Sequence, residues 1–92
     1  MQISDIQFVP IRPKDGLLGF VSFIIDSQLF CSSVGVYSRP GGGIRLVYPK
    51  INNNGVQYST FHPITAEFTK KVESGVENHI KDLFPSGMII GA

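Results

Sequence analysis

Three cations, Arg39, Arg45 and Lys50, fall in one stretch of a 92-residue chain, around the run Gly41-Gly42-Gly43 and with Tyr37, Tyr48 and Tyr58 interleaved. These residue types suit the holding of a nucleic-acid strand. Arginine offers paired donors to phosphate, glycine lets backbone amides approach an anion closely, and a tyrosine ring can stack on an exposed base. The same residues also suit a solvated hairpin edge whose charges discourage strand-to-strand aggregation. Lys70 and Lys71 lie further along the chain and can reach a phosphate only at the edge of such a patch. Their neighbours Glu67, Glu73, Glu77 and Asp82 offset them, and Glu67/Lys71 and Glu77/Lys81 have the favourable i, i+4 spacing of an ordinary solvated helix face.

Other reactive side chains form no constellation. His62 precedes Pro63, which holds it extended, and no nucleophile or orienting acid stands nearby in the sequence, so a structural hydrogen bond is expected of it. His79 falls within an apolar helical stripe and reads as a buried or interfacial imidazole. Cys31 lies in mid-strand and reads as a small buried hydrophobe. Asp5, Asp15 and Asp26 sit at turns and a strand start and suggest turn chemistry, not a carboxylate pair. The triple glycine is not a phosphate-binding loop of the nucleotide-hydrolase kind, because no Gly-Lys-Ser/Thr follows it. No enzyme, metal, cofactor or small-molecule substrate is expected.

The positioning elements are legible from periodicity. Ile3 to Ile11 is a strand, stopped by Pro10, Pro13 and the Lys14-Asp15-Gly16 turn. Gly19 to Asp26 is a strand, Asp26-Ser27-Gln28 a tight turn, and Leu29 to Ser38 the return strand. On that return strand Phe30, Val34 and Val36 are expected on one face and Leu29, Cys31 and Tyr37 on the other. Ile44 to Tyr48 alternates, Pro49 ends it, and Asn52-Asn53-Asn54-Gly55 offers the positive φ angles of a hairpin tip before Val56 to Phe61 returns. Beyond Pro63 the period becomes that of a helix: Phe68, Val72, Val76, Ile80 and Leu83 line one face, Thr65 is the N-cap, and Pro85 and Gly87 forbid continuation past Phe84. The expectation is one α+β domain over residues 1–92. An antiparallel sheet of about five strands spans about 2–61, a C-terminal helix about 65–84, and a short apolar tail 85–92.

Composition narrows the class. Hydrophobic residues make up 42% and charged residues 16%, enough apolar content for a packed core. A net charge of +1 excludes strong nonspecific attraction to a polyanion, so nucleic-acid contact must come from a local patch. One cysteine excludes an internal disulfide. The start has no basic region followed by an apolar stretch, and the run Gly16 to Ile25 is short of a membrane span, so a cytoplasmic protein is expected. The strand Gly19 to Asp26 is apolar on both faces, with Val21, Phe23 and Ile25 on one and Phe20 and Ile24 on the other. One helix can cover one face only, and a second copy of the chain is the expected cover for the other, the alternative being a sheet that curls on itself and buries those residues.

Several segments resemble the SpoVG family, the stage V sporulation protein G or septation-regulator proteins. They are Ile3-Ser4-Asp5-Ile6, Ser22-Phe23-Ile24-Ile25-Asp26, Leu29-Phe30 and Val34-Gly35-Val36. The glycine loop leading to Leu46-Val47-Tyr48-Pro49-Lys50 and Phe61-His62-Pro63-Ile64 continue the series over about residues 1 to 81. The resemblance implies an antiparallel sheet with a C-terminal helix, a homodimer, and a non-catalytic regulator of septation, cell division or sporulation that binds DNA and in some members RNA. Arg39, Arg45, Lys50, Tyr48, Lys70 and Lys71 are the candidate contacts. Where the family's Met-Pro-Ser is followed by a basic cluster, this chain has Tyr48-Pro49-Lys50, then Ile51 and three asparagines. That departure supports the alternative of a protein-interaction module with weak or no nucleic-acid binding.

Overall fold

The computed structural model describes residues 2–84, and the expectation for the tail 85–92 lies outside the described residues. The elements run β1 (Ile3–Lys14), β2 (Leu17–Ile25), β3 (Leu29–Ser38), β4 (Ile44–Val47), β5 (Lys50–Asn53), β6 (Val56–Ser59) and α1 (Ala66–Leu83). The class is α+β, as the periodicity predicts. The strands do not make one five-stranded sheet, however: β1 to β4 form a four-stranded antiparallel meander, and β5 and β6 form a separate hairpin. Tyr48-Pro49 divides the two, since Pro49 has no amide to give a ladder. Thr60 closes the hairpin's base by donating its amide (3.1 Å) and its hydroxyl (2.7 Å) to the Pro49 carbonyl.

Neither Pro10 nor Pro13 stops β1, which runs on to Lys14. β1 is an edge strand, where a missing amide can face solvent without breaking a ladder. Asp15 and Gly16, with φ of 54° and 87°, then turn the chain so that Lys14 pairs with Leu17.

Register shifts interrupt the meander at four places. Those at Pro10/Lys14 and Leu17/Gly19 let Leu17 pair with Lys14 and Tyr37 while Leu18 enters the core, and two further bulges set the faces of the rest. Between the pairs Phe23↔Cys31 and Val21↔Val34, β3 carries one residue more than β2, and Ser33 takes a φ of 60°. Across β2, between Ser4↔Ile24 and Gln7↔Ser22, β1 carries one extra residue, with Asp5 at φ 52°. A single extra residue reverses the in/out parity of everything beyond it. Cys31 therefore joins Val34 and Val36 in the core, while Phe30 faces away from them, contrary to strict alternation. Asp5 is a bulge residue, whereas Asp15 and Asp26 are turn residues as expected.

The helix covers the inner face of the sheet. Thr65 caps it, accepting the Phe68 amide at 3.1 Å, with Glu67 in the first turn and Lys81 in the last. Val72, Val76 and Ile80 are fully buried against Val21, Phe23, Val34 and Val36. Each such side chain contributes roughly 1.5–3 kcal/mol of burial. The buried ridge advances by four residues and ends on Phe84, whose ring meets Phe8 edge-to-face at 6.4 Å. Leu83, expected in this stripe, falls beside the ridge and is exposed. His79 is half-buried. No helix among the described residues is long and apolar enough to cross a membrane.

Candidate nucleic-acid interface

Arg45 lies on β4, the edge strand opposite β1, between the buried Ile44 and Leu46. Alternation sends it to the face away from the helix. Its cross-strand partner is Tyr37, and its guanidinium carbon lies 5.6 Å from that ring's centroid. A cation over a ring face is attracted by the ring's quadrupole, so the exposed guanidinium is held in place. Tyr37 itself lies low over Gly35: a Cβ built at Gly35 would come within 3.2 Å of the Tyr37 ring. The row continues through Leu17, opposite Tyr37, to Lys14, opposite Leu17. One cross-strand row thus carries a cation on each edge strand. Sequence reasoning misses Lys14; the Asp15-Gly16 turn, which fixes its pairing, is the signal that could have found it.

Arg39 is half-exposed just beyond the end of β3 and pairs with Glu73 of the helix at 3.0 Å. The glycine loop closes on itself. The Arg39 amide donates to the Gly43 carbonyl at 3.1 Å, and the Gly42 amide donates to the Arg39 carbonyl at 3.0 Å. Those two amides are committed within the loop and cannot serve an anion. Gly43, at φ 82°, lies against the helix, where an added Cβ would come within 3.0 Å of Glu77 Oε1. Glu77 in turn pairs with Lys81 at 3.3 Å, as their spacing predicts. Lys70 is exposed and lines the same cleft as Arg39, Glu73 and Glu77, so its surroundings are mixed in charge. Lys71 is exposed on the helix near Glu67 and Phe68.

Lys50 opens β5 and is exposed. The hairpin that it begins has two unlike sides. Ile51 pairs with Tyr58 and Asn53 with Val56 on one; Lys50 pairs with Ser59 and Asn52 with Gln57 on the other. Asn54 and Gly55 form the tip, with φ of 53° and 81°.

Tyr48 is not a platform for a base. Its ring turns inward and meets Phe61 edge-to-face at 5.7 Å, and its hydroxyl is buried with no hydrogen-bond partner among the described residues. Burial, with the Glu73 carboxylate and Cys31 adding to it, pushes its pKa up to about 12. The cause is positional: Tyr48 continues the inward series Ile44, Leu46. Burial also pushes the Cys31 thiol up, which suits an inert core residue. Tyr58 is the tyrosine that stands exposed.

His62 is exposed, and the structural hydrogen bond expected of it is not found among the described residues. It borders a cleft of about 270 Å³ whose walls include Phe23, Ile25, Phe61 and Phe68. No group of three or more His, Cys, Asp or Glu side chains comes together among the described residues. Of the six predicted contacts, Arg45, Lys50, Lys70 and Lys71 are exposed, Arg39 is half-exposed in an ion pair, and Tyr48 is withdrawn. Compared with known proteins, the chain matches no family model and no curated protein.

Proposed function

We propose that this chain is a non-catalytic, cytoplasmic regulator that binds DNA, and RNA as well, as a homodimer, in the manner of the septation and sporulation regulators it resembles. The observation that carries the reading is the exposed Arg45 guanidinium braced on Tyr37, with Lys50 following on the next strand. An oriented, planar cation with no carboxylate partner among the described residues is suited to phosphate. Arg39 joins it by exchanging Glu73 for a phosphate. The test is binding of the chain to mixed-sequence DNA and RNA across a salt series. Affinity that falls steeply with salt supports the reading, and no binding at low salt contradicts it.

A second reading rests on the β5–β6 hairpin. All eight of its strand residues are exposed, and Ile51, Val56 and Tyr58 share one side. An isolated two-stranded ribbon is marginal in water, so a covering partner would stabilise it. In the dimer that partner is a second copy. In a protein-interaction module it is another protein. Sedimentation of the chain and of Ile51→Ser/Tyr58→Ser separates them: a dimer that the double change splits places the second copy on the hairpin.

A further inference from the structure

Residues opposite one another in an antiparallel ladder share a face, so the registers sort the side chains of β1 to β4. Phe20 pairs with Val9 on one side and Gly35 on the other, Phe30 pairs with Ile24, and Tyr37 pairs with Arg45. The bulge at Ser33 puts Phe30 on the same side as Phe20 and Tyr37, opposite the helix. The exposures show how open this face is: Val9 63%, Phe20 41%, Phe30 65%. The β5–β6 hairpin does not cover it, being exposed throughout.

We infer that the open face of the four-stranded sheet binds single-stranded nucleic acid, with bases stacked on Phe20 and Phe30 and phosphates held by Arg45 and Lys14. The inference rests on the nucleic-acid reading above and adds a place and a strandedness to it. Every base has a π-face, so exposed aromatics on a sheet are a sequence-tolerant platform, and four-stranded antiparallel sheets elsewhere stack two or three bases this way. A duplex keeps its base faces inside its own stack, where Phe20 and Phe30 cannot reach them. The face therefore discriminates against duplex.

Charge selects this face over the other. The helix, which covers the inner face, carries four acids, Glu67, Glu73, Glu77 and Asp82, against three lysines, Lys70, Lys71 and Lys81, for a net charge of −1. On the open side Arg45 and Lys14 occupy the two edge strands of one row, with Asp15 in the turn beside Lys14. Charge also decides between nucleic acid and a second copy. Two copies packed on this face would bury four cations, Arg45 and Lys14 of each, against the two Asp15 carboxylates at the end of that row, which is costly, whereas phosphates supply the missing charge.

The experiment uses the full chain with fluorescein-labelled, mixed-sequence single strands of DNA and RNA and the corresponding DNA duplex. Anisotropy gives affinities for the wild type and for Phe20→Ala/Phe30→Ala, and sedimentation and thermal melting follow assembly and folding. The wild type should prefer single strands to duplex, and the double change should weaken single-strand binding by about tenfold or more. The chain has no tryptophan, so Phe30→Trp makes a lone reporter on the face that unlabelled oligothymidylate should quench, even if the alanine variant folds poorly. Wild-type binding that is unchanged by the double variant and leaves the reporter unquenched overturns the inference and leaves the nucleic-acid reading standing. No wild-type binding to either form at low salt overturns both. A double variant that is monomeric where the wild type is dimeric, without a change in affinity, gives the face to the second copy and overturns the inference.

Discussion

The Arg45 guanidinium lies 5.6 Å from the centre of the Tyr37 ring, its direct partner across β3 and β4. Such an interaction contributes about 0.5–1 kcal/mol at an exposed site, and its larger effect is to orient the cation. Tyr37→Leu keeps an apolar body over Gly35 and removes the ring face. Nucleic-acid affinity should fall about two- to fivefold, with little change in melting temperature. Arg45→Lys, which keeps the charge and removes the planar fork, should weaken binding to a similar degree. Anisotropy titration of both variants beside the wild type checks this.

Arg39 is held by Glu73 at 3.0 Å, so phosphate must compete with a carboxylate for it. A partly exposed pair of this kind is worth about 0–1 kcal/mol, so Glu73→Gln should raise affinity by up to about fivefold. Arg39→Ala in the Glu73→Gln background should abolish the gain, as read by the same titration. A gain that survives without Arg39 would mean that Glu73 repels the ligand directly.

Two glycines should respond to alanine in opposite directions. At Gly75, in the middle of the helix, the nearest side-chain atom to an added methyl is Ile6 Cδ1 at 3.9 Å, an ordinary van der Waals separation. Gly75→Ala should stabilise the protein by about 0.5–1 kcal/mol through helix propensity. At Gly19 an added Cβ would come within 2.8 Å of the Phe8 ring and closer still to the Val9 carbonyl oxygen. Gly19→Ala should destabilise by about 1–3 kcal/mol or more, because the backbone oxygen cannot step aside. Urea denaturation of the two variants reads both signs.

Tyr48 makes stability fall at alkaline pH. Its pKa is pushed up to about 12 in the folded chain, chiefly by burial, against about 10 in an unfolded one. Between those values the unfolded chain releases a proton that the folded chain keeps. The contribution is therefore full below about pH 10 and declines as pH rises toward 12. Tyr48→Phe should remove that part of the decline and, since the hydroxyl has no partner among the described residues, should cost little or nothing at pH 7. Denaturation curves at about pH 7, 10 and 11 make the comparison.

Local chemistry makes much of this fold readable. Leu29–Ser38, the hairpin tip at Asn54-Gly55, the Thr65 cap and the Val72-Val76-Ile80 ridge all follow from turn residues, capping and period. What is not readable depends on partners across the sheet. The bulge at Ser33 exists because β3 pairs with β2 around Ser22, and no residue type announces it, so strict alternation puts Phe30 on the wrong side. Pro10 and Pro13 end a strand only if it is paired on both sides, and β1 is an edge. Pro49 marks where β4 ends, but that β5 and β6 then stand apart from the four-stranded sheet depends on pairings that no local residue type announces. For the candidate interface, residue type correctly indicates that Arg45 and Lys50 are exposed. It could not show that Tyr48 faces inward, that Glu73 holds Arg39, or that Lys14 shares a row with Arg45.

The central claim is that Arg39, Arg45 and Lys50 hold phosphates, and the salt dependence of binding tests it most directly. The measurement is affinity for mixed-sequence DNA and RNA over a salt series, for the wild type and for Arg39→Ala/Arg45→Ala/Lys50→Ala. Each phosphate released from the interface should flatten the slope of log affinity against log salt by about 0.9 on duplex and about 0.7 on single strands. The expected result is a slope flatter by roughly 2–3 per protomer in the triple variant, with Lys70→Ala/Lys71→Ala changing it far less. An unchanged slope in the triple variant, with the fold intact, would contradict the claim.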